Sequence, residues 1–300
     1  MNILILGGTG LIGSALTNSV LSDGHKVWVL TRNPDKKLAE GVNTIPWNDA
    51  ISGHWQAKFD TMDAIVNLAG ETVGHWPWNA ERKTNILQSR LKAGQIVSQA
   101  FKNTKTKPAV LVQSSAIGFY GPLGTQPVGE DGKAGQDFMA NVTKEWEAST
   151  SSIEQIPGVR RVVIRTSLVL DARQGVLPLM ALPVRLFAGG PLGNGKQGVS
   201  WIHIEDEVRA IRFLMENDKA GGIFNLSSPH PVSNSLFIRE LAHCLGRPYW
   251  IPAPAFALKL ALGEMSTLLL DGQYVLPTRL IEAGFHFNYE HASEAFESLF

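Results

Sequence analysis

The first residues of the chain form a pattern that could hold a phosphate group. An apolar run from Ile3 to Leu6 ends in glycines, and a segment compatible with a helix begins at Leu11. Glycines allow a tight turn and a close approach of the backbone to a pyrophosphate, and a helix N-terminus offers unpaired N–H groups. Because the G-x-x-G-x-x-G spacing lies between a strand and a helix, we interpret it as a dinucleotide site rather than a simple turn. The predicted contacts are Gly7, Thr9, Gly10, Leu11, Ile12 and Gly13.

The end of the second predicted strand indicates which dinucleotide is bound. Proteins that bind NAD usually place Asp or Glu about 20 residues after the glycines, where the carboxylate accepts from the ribose 2′-hydroxyl. Here Thr31 and Arg32 occupy that place, and Arg32 follows Gly13 by nineteen residues. A guanidinium suits a 2′-phosphate, so the sequence predicts NADP as the cofactor. The alternative is an exposed surface arginine.

A third segment of small residues completes the predicted cofactor site. Residues 63–70 read as a buried parallel strand that ends in Leu68, Ala69 and Gly70, and open α/β sheets bind ligands at this edge. On the long helix predicted from about Asn79, Arg90 would reach a phosphate or carboxylate if its face lies toward the crevice. Otherwise it is a solvated side chain.

Hydroxyl groups follow the buried strand predicted at residues 109–113. Ser115 and Tyr120 lie where a carbonyl or alcohol substrate would meet a nicotinamide, and we predict them as the catalytic residues. The predicted substrate is an unknown small carbonyl, alcohol or sugar-like compound.

The composition narrows the class of protein. Lys plus Arg and Asp plus Glu balance at 27 each, so no overall field favours nucleic acid or a membrane surface. The single cysteine, Cys244, excludes an internal disulfide and fits a reducing cytoplasm. We find no secretory signal, no apolar run long enough for a membrane helix and no metal signature. The oligomeric state is left open as monomer or homodimer.

Strands and helices alternate as far as residue 165, which predicts an α/β fold with a doubly wound parallel sheet of the Rossmann type. The pattern loosens after about residue 170 and changes character after residue 247. We therefore predict a dinucleotide-binding domain over residues 1–246 and a small α-rich C-terminal cap over residues 247–300.

Several motifs in order resemble the extended short-chain dehydrogenase/reductase (SDR) superfamily. They are Gly7–Gly13, Asn67–Gly70, Ser114–Ala116 with Tyr120-Gly121, and Trp201–Asp206. The chain is most similar to the YfcH-like epimerase family, in Ser89-Arg90, Trp146-Glu147, Gly189–Gly193 and Leu276–Leu280. That resemblance implies a Rossmann core, NADP binding and a substrate site roofed by a C-terminal domain of unknown function. The family's reaction is not established.

One departure from the superfamily leaves the chemistry open. Its members use a Tyr-x-x-x-Lys pair, in which the lysine lowers the tyrosine pKa so that it can serve as acid or base. Counting back from Glu147, the expected positions hold Met139 and Thr143, and Lys144 is turned away by roughly 100°. One alternative is an enzyme in which Ser115 orients the substrate and Tyr120 or Glu130 handles the proton. The other is a sensor that holds NADP without turnover. An unrelated fold with a chance glycine motif is the remote third reading.

Overall fold

The computed structural model describes residues 1–35, 38–47, 55–74 and 77–300. Its strands are β1 Asn2–Leu6, β2 Lys26–Thr31, β3 Asn43–Pro46, β4 Ala64–Asn67, β5 Val110–Ala116, β6 Pro127–Val128, β7 Arg160–Thr166, β8 Leu168–Leu170, β9 Gly198–Val199, β10 Trp201–His203, β11 Gly222–Leu226, β12 Val232–Ser233 and β13 Tyr274–Val275.

Helices connect most of these strands. They are α1 Leu11–Ser22, α2 Gln56–Phe59, α3 Ala80–Asn103, α4 Phe138–Ala148, α5 Leu177–Arg185, α6 Ile204–Glu216, α7 Asn234–Cys244, α8 Ala255–Leu262, α9 Thr267–Leu270, α10 Thr278–Glu282 and α11 Ala292–Leu299. Short 3₁₀ turns cover Ile117–Tyr120, Ser151–Gln155 and Gly263–Ser266.

Within the described ranges, seven strands form a parallel sheet in the order β11-β7-β5-β4-β1-β2-β3. The chain runs outward from β1 through β2 and β3, then crosses to β4 on the other side of β1. That reversal creates a crevice at the carboxyl ends of β1 and β4, where doubly wound sheets bind their ligands. The predicted fold class is confirmed.

The sheet is covered on both faces because its strands carry apolar residues on both sides. Ile3 and Ile5 of β1 are fully buried in one core, with Leu16 of α1 and Ile211 of α6. Leu4 and Leu6 are buried in the opposite core with α3 residues such as Ile96, Val97 and Phe101. Strands buried on both faces read as continuous apolar runs, as β1 and β4 do.

The C-terminal region packs into the body of the molecule. Phe296 of α11 contacts Phe237 of α7 with ring centroids 5.0 Å apart, and both rings are fully buried in a third core. In addition, β13 pairs with β6 in parallel. The helical character predicted for this region is confirmed, while the boundary at residues 246 and 247 stays a prediction. In the part of the chain that the structure describes, no helix has the length and apolarity to cross a bilayer.

Candidate functional site

The turn after β1 is shaped by glycines that have no room for a side chain. Gly7 has φ of 79°, and a Cβ there would lie 2.8 Å from the carbonyl carbon of Leu68, at the end of β4. A Cβ on Gly13, in the first turn of α1, would lie 2.2 Å from the Gly7 carbonyl oxygen. Real Cβ contacts do not come this close, so the turn and helix depend on glycine at both positions. The backbone itself therefore forms this wall of the crevice.

The N-terminus of α1 opens toward this turn. Gly10 is its N-cap, no side chain caps it, and its first turn contains no acidic residue. The Gly10 N–H donates to the Gly7 carbonyl at 3.0 Å, which closes the turn. N–H groups without a side-chain cap, together with the positive end of the helix dipole, suit a pyrophosphate. The glycine cradle therefore fits a dinucleotide.

Arg32 follows β2 at the same edge of the sheet. Leu30 of β2 pairs with Leu6 of β1, so Arg32 lies one strand away from the glycine turn. Its side chain is exposed and makes no hydrogen bond or ion pair with the residues that the structure describes. The buried Thr31 hydroxyl accepts from the Asn33 N–H at 3.1 Å and so shapes the bend that carries Arg32.

The end of β4 is fixed beside the glycine turn. The Leu68 N–H donates to the Leu6 carbonyl at 2.9 Å. The fully buried Asn67 side chain donates to Gln113 of β5 at 2.9 Å and accepts from the Ala69 N–H at 3.3 Å. Three neighbouring strands thus hold the loop of Leu68, Ala69 and Gly70 against the crevice.

Arg90 lies beneath that loop. Its Nη1 donates to the Glu71 and Ile86 carbonyls at 3.0 and 2.8 Å, and its guanidinium lies 4.8 Å from the Trp146 ring centroid. A Cβ on Gly70 would lie 3.2 Å from the Arg90 Cζ. Burial lowers the pKa of Arg90 to about 10, although the Glu71 charge opposes this shift. The contacts make Arg90 a support for the loop, and direct contact with cofactor stays a prediction.

Ser115 donates its hydroxyl hydrogen to a buried ion pair. Its Oγ lies 2.7 Å from Oε1 of Glu147 on α4. Glu147 also accepts from Nε and Nη2 of Arg165 on β7, at 2.8 and 3.0 Å. All three residues are less than a tenth exposed. The serine hydroxyl is therefore occupied by a partner within the fold.

Tyr120 belongs to the same network. Its hydroxyl donates to Asn225 at 2.7 Å and accepts from Arg165 Nη1 at 3.0 Å. Burial raises the pKa of Tyr120 above its ordinary value of 10, while Arg165 opposes the shift, so it is a poor base at neutral pH. Glu130, the other candidate for handling the proton, is buried and accepts from the backbone N–H groups of Asn225 and Arg279 at 3.0 and 3.3 Å.

A cavity of about 350 Å³ opens at the carboxyl ends of β5 and β7. Its walls include residues 116–118 at the end of β5, residues 137–139 at the start of α4 and residues 166–168 at the end of β7. Residues from the C-terminal region, between 264 and 273, form its roof. Ser115 directly precedes the lining residues 116–118, and Tyr120 follows them by one short turn, but neither residue lines the cavity. The structure thus brings them beside the cavity without exposing their hydroxyls to it, and their catalytic role stays a prediction.

The positions expected for a Tyr-x-x-x-Lys pair carry different side chains, and Thr143 does not line the cavity. Met139 lines it, and the Thr143 hydroxyl is bonded to its own helix at the Met139 and Ala140 carbonyls, both at 2.9 Å. Lys144 is exposed. The side chain that α4 presents to the cavity at these two positions is that of Met139, which cannot exchange a proton.

Glu207 is a buried carboxyl that the sequence analysis missed. Its Oε1 accepts from the Thr166 hydroxyl at 2.8 Å, and Thr166 lines the cavity. Its Oε2 has no hydrogen-bond partner among the described residues. Burial raises the pKa of Glu207 from 4.5 to about 8, against the opposing hydrogen bond from Thr166, so the group is mainly neutral at pH 7. The helical spacing of the sequence could have indicated that Glu207 is buried, because Glu207 shares the apolar face of α6 with Ile211 and Leu214.

Comparisons with known proteins agree with this geometry. Residues 3–227 match a family model described as the NAD dependent epimerase/dehydratase family. Residues 253–299 match a second model, a domain of unknown function called DUF1731.

Relatives and solved structures cover the whole chain. The epimerase family protein YfhF of Bacillus subtilis is 36% identical over 300 residues, which is 100% of this chain and 98% of the relative. The structure of the human epimerase family protein SDR39U1 with NADPH has a TM-score of 0.87 and 30% identity, over 100% of this chain and 99% of that one. The nucleoside-diphosphate sugar epimerase of Corynebacterium glutamicum has a TM-score of 0.79 and 29% identity, over 100% of this chain and 58% of that one.

The buried ion pair makes Glu147 a strong determinant of stability. Replacing Glu147 by Gln leaves the Arg165 cation buried without a counter-charge, so we expect a loss of about 3–5 kcal/mol in the free energy of unfolding. Glu154→Gln is the matched control, because Glu154 pairs with Arg161 while its side chain is 55% exposed, and it should cost less than about 1 kcal/mol. Urea unfolding of both variants at pH 7 measures the difference. Equal losses would contradict the role given to the pair.

Glu207 should make stability depend on pH. The pKa of Glu207 is about 8 in the folded protein and 4.5 in the unfolded chain, so between these values the folded state binds more protons than the unfolded state. The free energy of unfolding therefore falls as pH rises from about 4.5 to about 8. Glu207→Gln removes this contribution. The free energy of unfolding of the variant should therefore rise relative to that of the native protein, by at most ~1.4 kcal/mol per pH unit across that window. Urea unfolding of both proteins at pH 5, 7 and 9 tests this. A constant difference at all three values would show that Glu207 titrates alike in both states.

Proposed function

This chain belongs to the NAD dependent epimerase/dehydratase family, and we propose that it is an NADP(H)-dependent oxidoreductase or epimerase-like enzyme of the extended SDR type. Its substrate would be a small carbonyl, alcohol or sugar-like compound. The observation that carries this proposal is the placement of the cavity, which opens at the same carboxyl edge of the sheet as the glycine cradle. A cofactor bound at the cradle and extending along the strand ends would reach the cavity wall at residues 116–118.

The cofactor would be held mostly by backbone. Gly7, Thr9 and Gly10 to Gly13 would surround the pyrophosphate, and Leu68 to Gly70 would form the neighbouring wall, with Arg90 supporting it from below. The nicotinamide would supply hydride transfer. Thr31 would hold the bend of the adjacent loop and Arg32 would pair with a 2′-phosphate. The NADPH named with human SDR39U1 supports this choice over NAD.

The proton that accompanies hydride transfer to a carbonyl needs a separate route. Ser115 and Tyr120 remain candidates, but their contacts favour a positioning role in which they hold the strand end against the cavity. Thr166 is better placed, because this residue lines the cavity and its hydroxyl lies 2.8 Å from a carboxyl that is mainly neutral at pH 7. Protonated Glu207 would then donate a proton to Thr166 as Thr166 donates its own proton to the substrate.

A sensor that binds NADP(H) without turnover is the second candidate. It is favoured by Met139 and Thr143 in place of the usual tyrosine and lysine. In either case we place the protein in the cytoplasm, since one cysteine, Cys244, fits a reducing compartment.

Arg32 should decide between the two nicotinamide cofactors. Arg32→Ala removes charge-assisted hydrogen bonds to a 2′-phosphate, so we expect NADPH to bind about 10 to 100-fold more weakly while NADH is unaffected. Isothermal titration calorimetry with both cofactors measures this. The exposed Arg247→Ala serves as the matched control and should change neither affinity. Equal weakening of NADPH and NADH by Arg32→Ala would refute NADP preference.

Turnover separates the enzyme from the sensor. The NADPH-loaded protein should oxidise its cofactor, followed by absorbance, with at least one member of a panel of carbonyl compounds and nucleotide sugars. Glu207→Gln should slow that turnover by about 10²-fold or more, in keeping with loss of general acid catalysis, and leave NADPH binding unchanged. NADPH binding without oxidation across the panel would favour the sensor. Full turnover in Glu207→Gln would remove Glu207 from the proton route.

A further inference from the structure

The charges that line the cavity are acidic. Asp137, Glu264 and Asp271 contribute carboxylates, and no lysine, arginine or histidine lines it among residues 1–35, 38–47, 55–74 and 77–300. Glu264 is neutralised by an ion pair with Lys83. Asp137 and Asp271 are therefore the carboxylates that a ligand would meet.

The charge of Asp137 acts on the carboxyl of Asp271. Burial raises the pKa of Asp271, the charge of Asp137 raises it further, and Lys259 acts in the opposite direction. Asp137 is the N-cap of α4, where its Oδ1 accepts from the Ala140 N–H at 2.8 Å. A helix N-terminus can attract a ligand anion, but at α4 that place is already taken by a carboxylate of the protein itself.

The remaining wall is mainly apolar. It includes Trp78, Phe138, Met139, Met180, Leu268 and Leu269. The Trp78 and Phe138 rings meet edge to face with centroids 5.5 Å apart, and they give the cavity a rigid aromatic side. The apolar part of the wall gains from contact with a hydrocarbon body, and the lining among the described residues carries no positive charge that would attract a phosphate.

We infer that the substrate is a largely apolar carbonyl or alcohol compound that carries no anionic group, and that nucleoside diphosphate sugars are excluded. This inference rests on the proposed function, because it assigns a substrate class to the same cavity. A diphosphate is normally met by Arg, Lys or a free helix N-terminus, and here it would meet Asp137 and Asp271 instead. A substrate with an amino group is compatible with the carboxylates of Asp137 and Asp271, whereas a substrate with a carboxylate group is not.

Binding of matched probes tests the substrate class without relying on turnover. The full chain loaded with NADP⁺ is titrated calorimetrically with cyclohexanones that carry a methyl, an aminomethyl or a carboxylate group opposite the carbonyl, and with UDP-glucose. We expect the methyl and aminomethyl ketones to bind at least about 10-fold more tightly than the carboxylate, and UDP-glucose not to bind.

Variants assign the selectivity to the two carboxylates. Asp137→Asn with Asp271→Asn should reduce the preference for aminomethyl over carboxylate by at least about 10-fold, and asparagine preserves the N-cap of α4. Asp218→Asn, at a fully exposed side chain outside the cavity, is the control and should leave the order unchanged.

Three results would overturn the inference. They are binding of UDP-glucose or the carboxylate as tight as that of the methyl ketone, no binding of either the methyl or the aminomethyl ketone, and an unchanged preference in the double variant. Titration of NADP⁺ alone is measured first, and the ketone series is repeated without cofactor. Failure to bind NADP⁺ contradicts the proposed function, whereas NADP⁺ binding with the opposite order of probes contradicts only the substrate class.

Discussion

The buried pair of Arg165 and Glu147 is the interaction on which the edge of the sheet around the cavity depends. Two charges removed from water are tolerated only when good geometry and additional hydrogen bonds compensate for their lost hydration. Here Ser115, Tyr120 and the Glu130 carbonyl supply those hydrogen bonds, at 2.7, 3.0 and 3.4 Å. The network joins β5, α4 and β7. Through Asn225, which donates to the Leu276 carbonyl at 2.9 Å, it also reaches β11 and the C-terminal region.

This dependence limits what the hydroxyls at the end of β5 can do. If Ser115 turned toward a substrate, the buried Glu147 carboxylate would lose a hydrogen bond, and if Tyr120 turned, the buried Asn225 amide would lose one. Either loss costs more free energy than an ordinary surface hydrogen bond contributes. The same residues that look suited to catalysis in the sequence thus stabilise the wall of the cavity. The proton exchange that we propose is assigned to Thr166, because its partner Glu207 is mainly neutral and retains a second oxygen without a hydrogen bond among the described residues.

The features that sequence could predict are those formed by neighbours along the chain. The strand, glycine turn and helix of residues 2–22 are local, and Arg32 follows directly from the end of β2, so the fold and the cofactor cradle were accessible. The orientation of Ser115 was not, because it depends on residues 147 and 165, which only the folded sheet brings together. Glu207 was missed for a related reason. Next to Glu205 and Asp206 it reads as a first-turn charge favourable to the helix dipole, and only its face of α6 shows that it is buried.

The two halves of the site have opposite electrostatic character. The half that we propose for the cofactor is formed by glycines, uncapped N–H groups and an exposed arginine, and these favour phosphate. In the half that we propose for the substrate, the N-terminus of α4 is capped by Asp137, and the nearby Asp271 adds a second carboxylate to an apolar wall. An anionic ligand is therefore drawn to one end of the crevice and repelled from the other. The same gradient would orient a phosphate-bearing cofactor, because its phosphates would be attracted to the glycine cradle and kept out of the cavity.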